Sequence, residues 1–215
     1  MHRPTVIVRY TILAVGVVYS VLLFVASVHL DTWYKYVIAA LPAVGSIALA
    51  IWDGWAWRQP WLTRLTHRPR LDGLWQVTLT PTAESHIPEG GNRGPIPGFL
   101  VVRQSYWSIH LRQFTAESAS RSRTFFWELP DGAEAETLTF VYENVPQQQF
   151  EQRSNRHFGT CGLDIGSLRP RAISGAYFTD RYTKGDMHLT LIDRSKSYGS
   201  FDEAKSRADA ASGHA

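Results

Sequence analysis

Cysteine is almost absent from this chain, which has Cys161 alone among 215 residues. A single cysteine cannot close an intramolecular disulfide, so the chain is not a disulfide-stapled secreted scaffold. The histidines do not combine with it at the spacing of a zinc site, so we predict no metal ion. The strand pattern around Cys161 indicates a small buried side chain there.

Catalytic motifs are lacking as well. The sequence contains neither a nucleophile elbow nor a Gly-rich phosphate loop. His157 and Asp164 fall on one predicted strand but on opposite faces, so pairing them as acid and base is geometrically strained. We expect no enzymatic activity and no cofactor, and an enzyme is the interpretation with the least support.

Charged residues are missing from two stretches near the N-terminus, Tyr10 to Val28 and Tyr36 to Trp52. The runs, of about 19 and about 17 residues, can each cross a hydrocarbon core about 30 Å thick as a helix. The pattern predicts a transmembrane hairpin with helices at about 8–29 and 33–53. A secretory signal peptide in place of the first helix is the alternative, although its apolar stretch is long for that role and a second apolar run follows directly.

Arginine flanks both ends of this hairpin but is missing from its turn. The positive-inside rule therefore predicts that both termini are cytoplasmic. Residues 1–71 hold about seven basic and two acidic side chains, so the net charge of +3 reflects a basic collar beside lipid and not a polynucleotide-binding face. We divide the chain into the hairpin at 1–57, a basic aromatic juxtamembrane linker at 58–71, a β-domain at 72–195 and a polar tail at 196–215.

Short segments of alternating apolar and polar residues, broken by Gly, Pro and Asn, fill the chain from Asp72 onward. This period predicts β-strands, and no helical period interrupts them. Their number and order favour an all-β domain folded as an eight-stranded up-and-down antiparallel β-barrel. A two-sheet sandwich is the structural alternative. We place the strands near 73–80, 99–104, 106–113, 118–129, 136–144, 157–165, 172–181 and 186–193.

The alternation also assigns polar side chains to one end of the barrel. The inward faces of the predicted fifth, sixth and seventh strands change from apolar to polar toward that end, and the serines of the fourth strand join them. The long loops at 81–98 and 146–156 can fold over this mouth. The candidate ligand-binding residues are Ser118, Ser120, Ser122, Tyr142, Asn144, His157, Tyr177, Thr179 and Arg181.

Hydroxyls, an amide, a histidine and an arginine beside tyrosines suit a small anionic ligand that carries a ring. Aromatic faces stack on bases, while arginine and hydroxyl donors hold phosphate. The alternative to an anionic ligand is a lipid or a small hydrophobic metabolite, bound in an apolar interior. In that case the chain is a membrane-tethered binding protein that has no toxic activity.

Short motifs in a fixed order carry a family resemblance along nearly the whole chain. After the two apolar stretches come His67–Trp75, Ser118–Ser122, Tyr142–Pro146, His157–Thr160 and Gly175–Arg181. In this order they resemble the two-transmembrane β-barrel effectors of bacterial CBASS anti-phage systems. The resemblance implies that the barrel senses a cyclic dinucleotide made by a CD-NTase. It also implies homo-oligomerisation on activation, disruption of the bacterial inner membrane and abortive infection.

Overall fold

The structure is a computed structural model, and it describes residues 4–25, 32–128, 136–152, 154–195 and 197–213. Helices α1 and α2 come first, a short helix α3 follows, eight strands come next and helix α4 is last. The helices are α1 Pro4–Val25, α2 Thr32–Gly54, α3 Pro60–Thr66 and α4 Phe201–Ser212. The strands are β1 Gly73–Pro81, β2 Ile96–Gln104, β3 Ile109–Thr115, β4 Ser118–Glu128, β5 Glu136–Pro146, β6 His157–Ile165, β7 Ala172–Thr179 and β8 Lys184–Asp193.

The eight strands form a closed barrel in which each strand pairs antiparallel with the next along the chain. Strand β8 pairs with β1 and completes the ring. The predicted all-β, eight-stranded up-and-down barrel is therefore confirmed, and the two-sheet sandwich is wrong. Closure leaves no strand edge exposed within the ring, which is the physical advantage of a barrel for alternating sequences.

Several predicted strand limits differ from the structure, since β2 and β8 begin before residues 99 and 186, and β3 and β5 end after residues 113 and 144. Two other predicted limits extend into turns. The third strand does not begin at Tyr106, because Ser105 and Ser108 form a tight turn in which the Ser105 N–H donates to the Ser108 carbonyl at 2.8 Å. The seventh strand ends at Thr179 and not at Arg181, since the Tyr182 N–H donates back to the Thr179 carbonyl at 3.1 Å. In both cases a local turn bond replaces the strand ladder.

Inward-facing side chains from every strand fill the barrel below its mouth. The mouth is the end where β1, β3, β5 and β7 finish and where β2, β4, β6 and β8 begin. The interior cluster includes Trp75, Leu100, Leu111, Phe125, Phe140, Leu163, Ile173 and Leu189. Cys161 is buried in this cluster as predicted, and burial raises the pKa of its thiol to about 12. Its sulfur is therefore protonated and poorly nucleophilic at neutral pH.

A bulge changes the alternation of β4 near its middle. The register to β5 shifts between Ser122 and Thr124. Before the bulge Ser118 and Ser120 lie on the inner face near the mouth, and after it Phe125 and Trp127 pack against the interior cluster. One strand thus contributes polar side chains to the mouth and apolar side chains to the floor.

Helix α4 lies within the predicted polar tail and packs on the outer wall of the barrel. Its N-cap is Ser200, whose Oγ accepts from the Glu203 N–H at 3.3 Å. The helix buries Ala204 and Ala208 against an apolar outer cluster. Alanine at both positions brings the helix close to the sheet. The strand residues of that cluster are Leu74, Phe99, Val101 and Phe114.

The predicted transmembrane hairpin is not supported. Helices α1 and α2 cover most of its two runs. Within the part of the chain that the structure describes, however, no helix combines the length and the apolar character that crossing a bilayer requires.

The chain divides into two compact units. The first comprises residues up to Thr66 together with Ser105–Ser108, and the second comprises His67–Gln104 and Ile109–Ala215. Within the first unit, a Cβ added at Gly16 would meet the Pro42 Cβ at 3.5 Å, so the bare glycine is a point of close approach between α1 and α2. The second unit contains the barrel and α4.

Candidate functional site

A cavity of about 230 Å³ lies at the mouth of the barrel. Strand ends and the connecting loops line it together. All of the candidate residues predicted from the sequence except Ser122 contribute to its wall, namely Ser118, Ser120, Tyr142, Asn144, His157, Tyr177, Thr179 and Arg181. The alternation of polar residues toward the strand ends therefore located one common cavity.

A row of polar side chains crosses four neighbouring strands inside this cavity. Gln113 is the cross-strand partner of Ser120, Ser120 of Asn144, and Asn144 of His157. The Ser120 hydroxyl donates to Asn144 Oδ1 at 2.8 Å. Because its oxygen is occupied, Asn144 presents its NH₂ group as a donor to whatever enters the cavity.

Ser122 does not line the cavity, although it was predicted with the other two serines. Its Oγ accepts from the Leu111 N–H at 3.0 Å and so takes the place of a backbone carbonyl between β3 and β4. This bond lies beside the β4 bulge, where the regular ladder is interrupted. The structure therefore places Ser122 in the wall as a strand-pairing residue.

Arg181 reaches the cavity from the turn between β7 and β8. Its Nη1 donates to Ser154 Oγ at 3.1 Å. Its Nε is buried and has no hydrogen-bond partner among the described residues. Burial lowers the pKa of Arg181, which nevertheless stays a cation at neutral pH. A partly buried cation with an unused donor matches an anionic group of a ligand.

His157 is held as a neutral ring. Its Nδ1 lies 2.9 Å from the carbonyl oxygen of Asn155, which can only accept, so the proton is on Nδ1. Burial lowers the pKa of His157, and the nearby positive charge of Arg181 lowers it further. At neutral pH its Nε2 is therefore a hydrogen-bond acceptor beside the Asn144 donor.

The free energy of unfolding should decrease as the pH falls, because of His157. In the unfolded chain the imidazole takes up a proton near its ordinary pKa of 6.5, whereas the folded protein resists protonation until a lower pH. The unfolded state then binds more protons, so the free energy of unfolding decreases as the pH drops below about 6.5. Denaturant titrations at about pH 7.5 and about pH 5.5 should show this loss.

A histidine variant provides the control for that pH dependence. His157→Gln is expected to lose a smaller part of its stability between the two pH values than the wild-type chain does. His188→Gln changes an exposed histidine on the outer wall and should leave the dependence intact. An unaltered slope in His157→Gln would assign the acid sensitivity to other groups.

The two tyrosines supply aromatic surface to the cavity. Burial raises the pKa of both Tyr142 and Tyr177, in the latter case to about 12, so their hydroxyls stay protonated. The Tyr142 ring lies over Gly159 on the neighbouring strand, since a Cβ at that glycine would fall inside van der Waals contact with the phenol. A planar group entering the cavity meets these rings.

The loop between β1 and β2 contributes a part of the wall that strand alternation did not predict residue by residue. Its cavity residues are His86, Ile87, Pro88, Gly91 and Asn92. Ser85 fixes the loop, because its Oγ donates to the Lys184 carbonyl at 2.5 Å and accepts from the Lys184 N–H at 3.0 Å. The His86 N–H also donates to the Tyr182 carbonyl at 3.1 Å. The loop is thus attached to the turn that carries Arg181.

Among the further cavity residues that follow the inward alternation of their strands and were missed, three lie on β3 and β8. Gln113 and Thr115 continue the inward series of Leu111 on β3, and Met187 continues that of Leu189 on β8. The period-two pattern could have identified all three. Ser154 comes from the loop between β5 and β6, whose fold no strand period predicts.

Comparison with known families identifies the barrel. A sequence model of the Cap15 cyclic dinucleotide receptor domain matches residues 66–191. The chain belongs to this family. The barrel is therefore a cyclic dinucleotide receptor domain of the CBASS effector type, and the resemblance seen in the sequence motifs is confirmed. No curated protein matches the chain.

The matched segment contains every candidate site residue. It begins in the last residue of α3 and ends within β8, so it includes the mouth, its loops and the polar row. Helix α4 lies outside it. The matched receptor domain thus covers nearly the whole barrel, including the residues that form the cavity.

Proposed function

We propose that the mouth cavity is where the receptor domain binds its cyclic dinucleotide. Arg181 holds a phosphate, Tyr142 and Tyr177 contact a base, and the polar row from Gln113 to His157 meets base edges and ribose hydroxyls. The remaining predicted contacts are Ser118 and Thr179. Ser122 acts indirectly, through the pairing of β3 and β4.

The observation that carries this assignment is the buried Nε of Arg181, which is unsatisfied among the described residues. Buried polar groups in native proteins almost always have a partner. A phosphate oxygen would supply one and would also compensate the desolvated positive charge. The adjacent polar row provides neutral donors and acceptors, which suits the heterocycle of the same ligand.

The size of the cavity implies that the mouth loops rearrange. Small-molecule sites commonly enclose about 300–1,000 Å³, whereas this cavity encloses about 230 Å³. A cyclic dinucleotide therefore needs the loop between β1 and β2 to move outward. Hydrogen bonds connect that loop to the segment between β7 and β8 that carries Arg181. Movement of the loop therefore also shifts Arg181, the residue that we propose holds the phosphate.

We further propose that binding drives the chain to oligomerise and to disrupt the bacterial inner membrane, causing abortive infection. The chain would act there with both termini in the cytoplasm, as the partner of a CD-NTase that makes its ligand, and without enzymatic activity of its own. The support is the large number of exposed apolar side chains on α1 and α2, because such surfaces commonly contact lipid or protein. They include Leu13, Val17, Val21, Trp33, Leu41 and Ile47. Dye release from vesicles of inner-membrane lipids on addition of the dinucleotide tests this proposal.

The apolar-ligand alternative has weaker support. A lipid-binding barrel needs an open apolar interior, but here Leu138, Phe140 and Leu163 pack together in the interior cluster. The cavity lies above them at the polar mouth. Copurification of a fatty acid with the chain would reverse this preference.

Two serines of β4 give a matched test of the binding site. Ser120→Ala frees Asn144 Oδ1 in the cavity, and we expect an affinity loss of about 1 kcal/mol. Ser122→Ala should leave the affinity unchanged and lower the free energy of unfolding by about 1 kcal/mol, because the Leu111 N–H loses its acceptor. Calorimetry with cyclic di-AMP, cyclic di-GMP and cyclic GMP-AMP measures affinity, and urea titration measures stability. An affinity loss in Ser122→Ala alone would place the ligand elsewhere.

A further inference from the structure

Two arginines face each other on the outer wall of the barrel near its mouth. Arg112 on β3 is the cross-strand partner of Arg121 on β4, and both are exposed. Like charges directly opposite on neighbouring strands destabilise a sheet. Arg123, further along β4, is also exposed and adds to the same wall. We name Arg112, Arg121 and Arg123 the basic wall.

The basic wall is only partly neutralised by its own barrel. Glu143 on β5 is the cross-strand partner of Arg121 and forms an ion pair with Arg123. The same carboxylate also pairs with Arg156. Several guanidinium groups thus converge on one carboxylate, while the Arg112 guanidinium lies 4.6 Å from the centroid of the Phe114 ring on its own strand. The surface keeps a positive potential that an acidic partner would satisfy.

A different surface occupies β6, β7 and β8. Phe158 is 48% exposed and Phe178 is 60% exposed, because both side chains lie on the outer face of the barrel and not in its interior cluster. Beside them the side chains are small, because Gly162 on β6 is the cross-strand partner of Ala176 on β7. Asp186 on β8 is the cross-strand partner of Ala176 and is exposed. We name Phe158, Phe178 and Asp186 the phenylalanine wall.

The two walls cannot meet within one copy. In a closed ring of eight strands in sequence order, β3 and β4 lie opposite β7 and β8. They are nevertheless complementary in chemistry, since Lys184, the cross-strand partner of Phe178, is already paired with Glu84. Guanidinium groups stack favourably on phenylalanine rings, and they form strong paired hydrogen bonds with carboxylates.

We infer that copies of this chain join head to tail, with the basic wall of one barrel against the phenylalanine wall of the next. The inference rests on the proposed assembly and names its surfaces. Such a contact uses two different patches, so each added copy leaves one of each patch open. Assembly therefore continues into a filament or closes into a ring. The phenylalanine wall borders the turn of Arg181, so a ligand that moves this turn also alters the wall.

Variants that disable one wall each test this arrangement. Arg112→Glu with Arg121→Glu disables the basic wall. Phe178→Ser with Asp186→Asn disables the phenylalanine wall without adding a positive charge that the new glutamates could pair with. Sedimentation of the full chain is measured over rising concentration, without ligand and with cyclic di-AMP, cyclic di-GMP or cyclic GMP-AMP. We expect a series of multimers for the wild type and at least about tenfold weaker association for each variant alone. An equimolar mixture of the two variants should form dimers and no larger species, because each copy retains one complementary wall.

Controls separate folding and the proposed function from the inference. Arg171→Glu reverses an exposed arginine at the other end of β7 and should assemble like the wild type. Arg112→Gln with Arg121→Gln is a milder variant, and thermal melting checks that every variant is folded. Multimers formed equally well by both single-wall variants would overturn the inference and leave the receptor proposal intact. A wild-type chain that binds a dinucleotide and stays monomeric would overturn both the inference and the proposed assembly.

Discussion

Replacing Arg181 by alanine is expected to weaken cyclic dinucleotide binding by about 1 to 3 kcal/mol, or roughly 5- to 150-fold. The side chain is partly buried at the mouth, is oriented by Ser154 and carries a buried Nε without a partner among the described residues. Removing it deletes a positive charge from the cavity where a phosphate would lie. Titration calorimetry of the full chain with cyclic di-AMP, cyclic di-GMP and cyclic GMP-AMP measures the change.

Two companion variants decide whether charge or geometry is responsible. Arg181→Lys keeps the charge but loses the planar guanidinium fork, so it should recover only part of the affinity. Arg171→Ala removes an exposed arginine at the opposite end of β7 and should bind normally. Equal affinities for the wild type and Arg181→Ala would mean that the phosphate is bound outside the mouth.

The position of Arg181 illustrates what the sequence could predict about this site. Strict alternation from Ile173 through Tyr177 and Thr179 assigns Arg181 to the inner face, and the structure places it in the cavity. The strand itself has already ended, however, and a turn with a positive φ at Tyr182 directs the side chain. Period two therefore predicted the destination correctly, while the turn that achieves it depends on bonds to neighbouring loops.

The serines of β4 are a case in which strand alternation predicts the wrong position for a side chain. Alternation treats Ser118, Ser120 and Ser122 as equivalent, yet a bulge after Ser122 turns that hydroxyl toward the β3 backbone. A bulge depends on how two strands pair, and one strand's sequence does not record it. The loop residues of the cavity were missed individually for a related reason. Ser85 organises its loop through Lys184, a bond between residues distant in sequence.

In the helical regions, the local sequence pattern was a poorer guide than it was in the barrel. Long uncharged runs in the sequence predicted helices, and α1 and α2 are present, but hydrophobicity alone did not establish a membrane-spanning hairpin. In the tail, helix α4 has a low apolar content, and it is held by Ala204 and Ala208 against apolar residues on the outer wall. Small side chains give little signal in a hydropathy pattern, although they allow close packing. Tertiary contacts and not local period decided this element.

Gly159 provides the second large expected effect, because it shapes the aromatic side of the cavity. An added Cβ would fall inside van der Waals contact with the Tyr142 ring and 2.9 Å from the Phe178 carbonyl oxygen. We expect Gly159→Ala to displace the phenol and to lower the free energy of unfolding by about 1–3 kcal/mol, as overpacking usually does. Ligand affinity should fall roughly tenfold or more, since one stacked base is worth about 1–3 kcal/mol.

Gly162 is the matched control on the same strand. A Cβ there meets only Thr139 Oγ1, at 4.0 Å, so Gly162→Ala should retain both stability and affinity. Combining Gly159→Ala with Tyr142→Ser removes the ring from the clash, and the double variant should lose less stability than the sum of the two single changes. Strict additivity would show that the Phe178 carbonyl, and not Tyr142, is what Gly159 accommodates. In that case Tyr177 would supply the aromatic surface of the cavity. Any loss of ligand affinity in Gly159→Ala would then result only from the loss of folding stability.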